Sequence, residues 1–147
     1  MTEIVRSGLE KFVRKGAAER CRGRLMVGVS EFNSLRGERF VKRIWSEWDS
    51  DKTLIDCIMA SCYLPIYYET PTLLNGKLCL DGGITDNLLD IPGFVKVCPY
   101  MEEADIGNKR GTRIPKWAAV LPGGMKDMER LEGMGWEDAE AWFSKSF

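Results

Sequence analysis

The chain has 147 residues, 44% of them hydrophobic and 29% charged, with a formal net charge of −1. That length fits one domain with a core of its own, and no apolar run reaches the roughly 18 to 20 residues of a membrane span. There is no histidine, which excludes Ser-His-Asp and Cys-His catalysis and histidine-ligated zinc and leaves acid–base chemistry to carboxylates, lysine, cysteine or tyrosine.

The N-terminal segment MTEIVRSGLEKFVRK lacks the apolar core of a signal peptide. Within residues 3–20, Ile4, Val5, Leu9, Phe12 and Val13 form an apolar stripe at helical spacing. The expected element is a core-facing amphipathic helix, with a membrane-surface helix as the alternative. Residues 1–43 carry a net charge of +6 and the rest −7. The basic part is either a solvated face or a surface suited to an anionic phospholipid membrane. RLMVGVSEF (24–32) and RFVKRIWSEW (39–48) read as two strands, and a turn at Gly37 makes them a hairpin.

Ser50 or Asp51 can cap the next helix. Leu54, Ile55, Ile58, Met59 and Cys62 define one buried face of it, and Pro65 stops it. IYYETPTLLNGK is an irregular crossing segment that turns at Asn75-Gly76. KLCL (77–80) and FVKVCPY (94–100) are short strands, 101–116 is a polar loop, and WAAVLP (117–122) is a further short strand. The tail is helical, with Trp136, Ala139, Trp142 and Phe143 on one face. Gly133 and Gly135 are expected to break it from a preceding helix at 125–132. The five cysteines, Cys21, Cys57, Cys62, Cys79 and Cys98, contain no C-x-x-C pair. They are expected to be reduced, mostly buried thiols of a cytosolic protein.

Strands, a buried helix and a strand-end loop with glycines imply an α/β fold, in which chemistry sits at the carboxyl ends of strands. Asp81 takes such a place, directly after KLCL and before Gly82-Gly83. Two glycines let the backbone turn sharply or approach another group closely. Thr85, Asp86 and Asn87 are turn and cap residues. On the dipeptide alone, Asp-Gly is an ordinary turn. A calcium loop is a weaker reading still, because the D-x-[DN]-x-[DN]-G spacing is absent.

The wider stretch carries more. I-D-C-I-M-A-S-C-Y-L-P (55–65) followed by N-G-K-L-C-L-D-G-G-I-T-D-N (75–87) resembles the patatin-like phospholipase family, in its adipose triglyceride lipase branch. The helix ending in Ala60-Ser61, the stop at Pro65, the strand ending in Asp81-Gly82-Gly83 and the pair Asp86-Asn87 carry that resemblance. Val97-Cys98-Pro99-Tyr100, Ala104-Asp105-Ile106 and the tail GMGWEDAEAWF extend it. It implies a three-layer α/β/α domain, present here in part. It also implies a serine acyl hydrolase that works without histidine, its aspartate taking the proton of a serine nucleophile that attacks a lipid ester. Asp81 matches that aspartate and is the catalytic residue expected here.

The family's G-x-S-x-G elbow is absent. Gly28-Val29-Ser30-Glu31-Phe32 comes nearest, but Phe32 replaces the second glycine, and Ser30 reads as a strand residue. The oxyanion loop is absent ahead of it as well. Gly123-Gly124-Met125-Lys126 has that look but follows Asp81, and reads as a turn into a helix. The expectation is therefore that residues 1–147 form the C-terminal portion of a patatin-like domain, without the nucleophile elbow and oxyanion segment. Such a piece hydrolyses lipid esters poorly by itself, or is a non-enzymatic relative that binds lipid or a partner. No cofactor, no metal, no nucleic acid and no transmembrane segment are expected. The expected partners are a lipid substrate or lipid surface and a complementing chain for the missing half. The expected location is cytoplasmic or peripheral on membranes or lipid droplets.

Overall fold

The structure is a computed structural model. It describes residues 1–34, 37, 39–107, 114, 118, 121 and 123–146. Most of the expected strand at 117–122 and of the polar loop before it lies outside the described residues. The chain forms two compact units, Met1–Asn87 and Leu88–Phe147.

In the first unit, α1 (Thr2–Phe12) and α2 (Ala17–Cys21) precede a hairpin of β1 (Val27–Asn33) and β2 (Arg39–Trp45). Helix α3 (Asp51–Ser61) follows, then β3 (Leu73–Leu74), β4 (Lys77–Asp81) and a single 3₁₀ turn, Gly82–Ile84. The strands form one sheet in the order β2-β1-β4-β3, with every neighbouring pair antiparallel. The fold is α/β, as expected of a partial patatin-like domain.

The expected hairpin forms, with Ser30 opposite Lys42 on one side and Leu80 on the other. In this interior strand Val29, Ser30 and Glu31 are buried in succession. The buried Glu31 carboxylate is met by Lys77 at 2.8 Å and Arg43 at 3.5 Å. The β3–β4 connection turns at Asn75 (φ 49°) and Gly76 (φ 74°). Positive φ at both central residues suits an Asn-Gly hairpin turn.

Ser50 caps α3, its hydroxyl accepting from the Thr53 N–H at 3.2 Å. The helix ends at Ser61, ahead of Pro65. Its burial corrects the expected face. Leu54, Ile55 and Met59 are buried, Ile58 is only half-buried and Cys62 is exposed, while Cys57 and Ala60 are also buried. The helix packs against β1, β3 and β4 and also against α1 and α2, so it is covered around most of its girth. Cys62 is its C-cap and runs off the end of the covered length. Trp48, Leu54, Cys57, Val29, Cys79, Ala60 and Leu74 make the core between helix and sheet.

The N-terminal segment also departs from expectation. Instead of one core-facing helix over 3–20, Gly16 at φ 78° separates α1 from α2. Only Val5, Leu9 and Val13 are half-buried, and Ile4 and Phe12 face outward. Asp51, free of the α3 cap, reaches across instead. Its carboxylate accepts from the N–H groups of Gly16 (2.7 Å) and Ala18 (2.8 Å) at the start of α2.

In the second unit, residues 94–100 form no strand. A single parallel bridge joins Val97 and Ile106. The Lys96 carbonyl accepts from Asp105 and Ile106, and the Cys98 N–H reaches Ile106. Pro92-Gly93 before and Pro99 after leave too short a run for a ladder. Helix α4 is continuous over Met125–Ser146, so Gly133 and Gly135 do not break it. Each glycine weakens a helix by about 1 kcal/mol without ending it when its neighbours are good helix formers. The turn at Gly123-Gly124 leads into α4, with the Gly124 carbonyl accepting from Asp127 and Met128.

Candidate functional site

Asp81 is the last residue of β4, at the strand end where the sequence places it. Its N–H donates to the Tyr63 carbonyl at 2.9 Å, anchoring it to the segment after α3. Its own carbonyl accepts from the Ser30 hydroxyl at 2.7 Å. The side chain turns back along the 3₁₀ turn, and Oδ1 accepts from the Gly83 N–H at 2.8 Å. Oδ2 receives no hydrogen bond among the described residues. The carboxylate is thus oriented through one oxygen and open at the other.

The two glycines serve space rather than an unusual φ, since neither has a positive φ. A Cβ on Gly82 would lie 2.4 Å from the Gly28 carbonyl oxygen. A Cβ on Gly83 would lie 2.8 Å from Asn87 Oδ1 and 3.0 Å from Asp81 Oδ1. The chain after Asp81 therefore presses directly on the β1 backbone and on the carboxylate itself, which only hydrogen side chains permit.

The serines nearby are committed to structure. Ser30 is fully buried. It donates to the Asp81 carbonyl, accepts from the Thr85 N–H at 3.2 Å, and lies 2.8 Å from the Thr85 hydroxyl. It touches the Asp81 main chain, not its carboxylate. Ser61, at the end of α3, donates to the Gly28 carbonyl at 2.7 Å. That is the same carbonyl on which Gly82 closes, so β1, α3 and the Asp81 turn meet at one point. Lys42 pairs with Asp86 at 2.7 Å and fixes the far side of the loop to β2.

Two side chains near Asp81 escaped the sequence reading. Partial desolvation on its inner side, although the residue as a whole is exposed, and then the Asp81 charge push the Cys62 thiol above its ordinary range. Burial, then Cys62, then Asp81 do the same to the Tyr68 phenol. Both groups lie within electrostatic reach of the carboxylate. Only the position of Cys62 just after Ala60-Ser61 hinted at its nearness. Tyr68 lies in an irregular segment with no periodicity to read. Among the described residues no three His, Cys, Asp or Glu side chains converge to hold a metal ion, and no helix is long and apolar enough to cross a membrane.

The second unit carries an apolar pocket of about 300 Å³, lined by Tyr100, Ile106, Leu131 and Met134, with Asp138 as the one carboxylate among the described residues.

A family model of patatin-like phospholipases matches residues 2–90. The chain is 31% identical over 109 residues to patatin-like phospholipase domain-containing protein 2 of Homo sapiens, a match that covers 72% of this chain and 21% of that protein. The Mus musculus protein of the same name is 30% identical over 109 residues, with the same coverage. 1-Acylglycerol-3-phosphate O-acyltransferase Pnpla3 of Mus musculus is 25% identical over 109 residues, covering 72% of this chain and 25% of that protein. The chain thus spans between a fifth and a quarter of the length of these relatives. No solved structure matches it.

Proposed function

This chain belongs to the patatin-like phospholipase family, a family of lipid acyl hydrolases, and from that premise we propose that it supplies the general-base half of a Ser-Asp dyad. Asp81 is the base. The observation that carries this reading is its carboxylate, held at a strand end by the Gly83 N–H through Oδ1, with Oδ2 open. In the reaction, Oδ2 takes the proton of a serine hydroxyl as its oxygen bonds to the ester carbonyl carbon of a phospholipid or acylglycerol. Asp81 returns that proton to the departing alcohol oxygen. Water, deprotonated by the same carboxylate, then attacks the acyl carbon, and Asp81 passes that proton to the leaving serine oxygen as the fatty acid is released.

The serine is on polypeptide outside this sequence. No G-x-S-x-G stands in the chain, and the Ser30 and Ser61 hydroxyls are spent on main-chain carbonyls. Donors for the developing oxyanion come from that same complementing polypeptide, and the protein acts at a lipid surface from the cytoplasm. The committed serines also favour a second reading, a relative without catalysis that binds lipid or a partner.

The coding DNA upstream of Met1 separates the two. An in-frame G-x-S-x-G favours catalysis, and the longer polypeptide is then assayed on phospholipid–triacylglycerol micelles with and without Asp81→Asn. Loss of about four orders of magnitude in kcat is expected for the substitution. Activity that survives Asp81→Asn removes the aspartate from the mechanism, and the absence of an in-frame elbow favours the binding reading.

A further inference from the structure

Helix α1 has two apolar lines. Val5, Leu9 and Val13 are half-buried on the protein side. That face is pinned by Arg6, paired with Asp56 of α3 at 2.8 Å, and by the Thr2 hydroxyl, which donates to Glu69 at 2.9 Å. The second line runs Ile4, Gly8, Phe12 at i, i+4, i+8 and faces out. Ile4 is 75% and Phe12 77% exposed, and a Cβ at Gly8 would meet nothing within 4 Å.

Cations gather at the end of this line. Lys11, Arg14 and Lys15 are exposed and pair with no carboxylate among the described residues. Lys11 Nζ lies 5.6 Å from the centre of the Phe12 ring. The Arg20 guanidinium donates to the Lys15 and Arg14 carbonyls at 2.9 and 3.1 Å, which adds a fourth cation and holds the turn.

We propose that the Ile4-Gly8-Phe12 face of α1, rimmed by Lys11, Arg14, Lys15 and Arg20, seats the protein on an anionic phospholipid surface. Side chains of this kind divide at a bilayer interface, the apolar line entering the acyl boundary and the cations meeting lipid phosphates. Unpaired cations select a negative surface over a neutral one, by about fivefold for each charge near the lipid. Two large apolar side chains on an 11-residue helix make the contact peripheral and reversible, not an insertion. The seating needs neither nucleophile nor turnover, so it stands apart from the hydrolase reading.

The test is flotation of the whole chain with vesicles of diether phosphatidylcholine, with and without diether phosphatidylserine. These lipids carry no carboxylic ester that could be cleaved. Binding is expected with phosphatidylserine and is reversed by salt. Ile4→Asp/Phe12→Asp should lower it at least about tenfold, and Lys11→Gln/Lys15→Gln about fivefold per charge. Gly8→Leu fills the open position and should raise binding about tenfold, a gain that no folding defect imitates. Circular dichroism confirms that each exposed-site variant is folded. Failure of the folded chain to bind anionic vesicles overturns the proposal. So does binding that ignores both the loss and the gain variants. A dimer in size-exclusion chromatography that Ile4→Asp/Phe12→Asp dissolves would assign the face to a second copy instead.

Discussion

At Gly82 one methyl group decides whether the Asp81 loop closes on β1. The added carbon would sit 2.4 Å from the Gly28 carbonyl oxygen, and a main-chain oxygen held in a sheet cannot swing aside. Gly82→Ala should destabilise the chain by about 1–3 kcal/mol, read from urea unfolding. Gly83→Ala meets the Asn87 side chain first, which can rotate, so its loss should be smaller. Equal losses at both sites would mean that the Gly28 contact does not set the cost. Ser30 is the other residue whose role is structural. Ser30→Ala takes the hydroxyl donor from the part-buried Asp81 carbonyl, while the Thr85 N–H keeps its second acceptor, the Gly82 carbonyl. The substitution should destabilise by about 1 kcal/mol. A Ser30→Ala chain as stable as the wild type would return the hydroxyl to the list of groups free for chemistry.

Among elements, the clamp between α3 and α2 is electrostatic. The Ala18 and Gly16 N–H groups hold the Asp51 carboxyl below its ordinary 3.8. A depressed acid stabilises the fold fully above its unfolded value, and the contribution is lost as pH falls through the folded one. Wild type and Asp51→Asn should therefore differ most in thermal melts near neutrality and converge as pH drops below 3.8. Glu69 follows the same sign: the Met1 ammonium, with the Thr2 N–H, holds it down to about 2 from 4.5. The advantage of wild type over Glu69→Gln should fade between those values. Asp51→Asn melts that keep their gap in acid would show that charge is not what clamps α2. In α4, an added Cβ at Gly133 or Gly135 would meet nothing within 4 Å. Gly→Ala at either position should stabilise the helix by about 1 kcal/mol, measured by helical circular dichroism during unfolding. A loss of stability instead would mean that the helix must bend there.

At the scale of the whole molecule, these 147 residues should show no turnover above background on a short-chain nitrophenyl ester or on mixed phospholipid–triacylglycerol micelles. Asp81 can take a proton, but hydrolysis also needs a positioned nucleophile and donors aimed at the oxyanion. Removing such groups typically lowers rates by about two to six orders of magnitude. Turnover abolished by both Ser30→Ala and Asp81→Asn would prove a working dyad inside the chain.

What the residues announce by themselves is local. The runs 24–32 and 39–48 with Gly37 between them announce the hairpin, Ser50 and Pro65 bracket α3, Asn75-Gly76 turns the chain, and KLCL delivers Asp81 to a strand end. Each depends on neighbours a few residues away, and the α/β class with its family resemblance follows from their order. Tertiary structure decided the rest. The Ser30 bond to Asp81 spans 51 residues and the Ser61 bond to Gly28 spans 33, so no local pattern reveals that both hydroxyls are committed. The same holds for Gly82, whose missing side chain answers to a carbonyl on another strand, and for Cys62 and Tyr68 beside the carboxylate. Helical spacing marks α1 and α3 as amphipathic but cannot count the layers around them. Helices and sheet enclose α3 almost completely, while α1 is covered on one side only, leaving Ile4 and Phe12 facing outward.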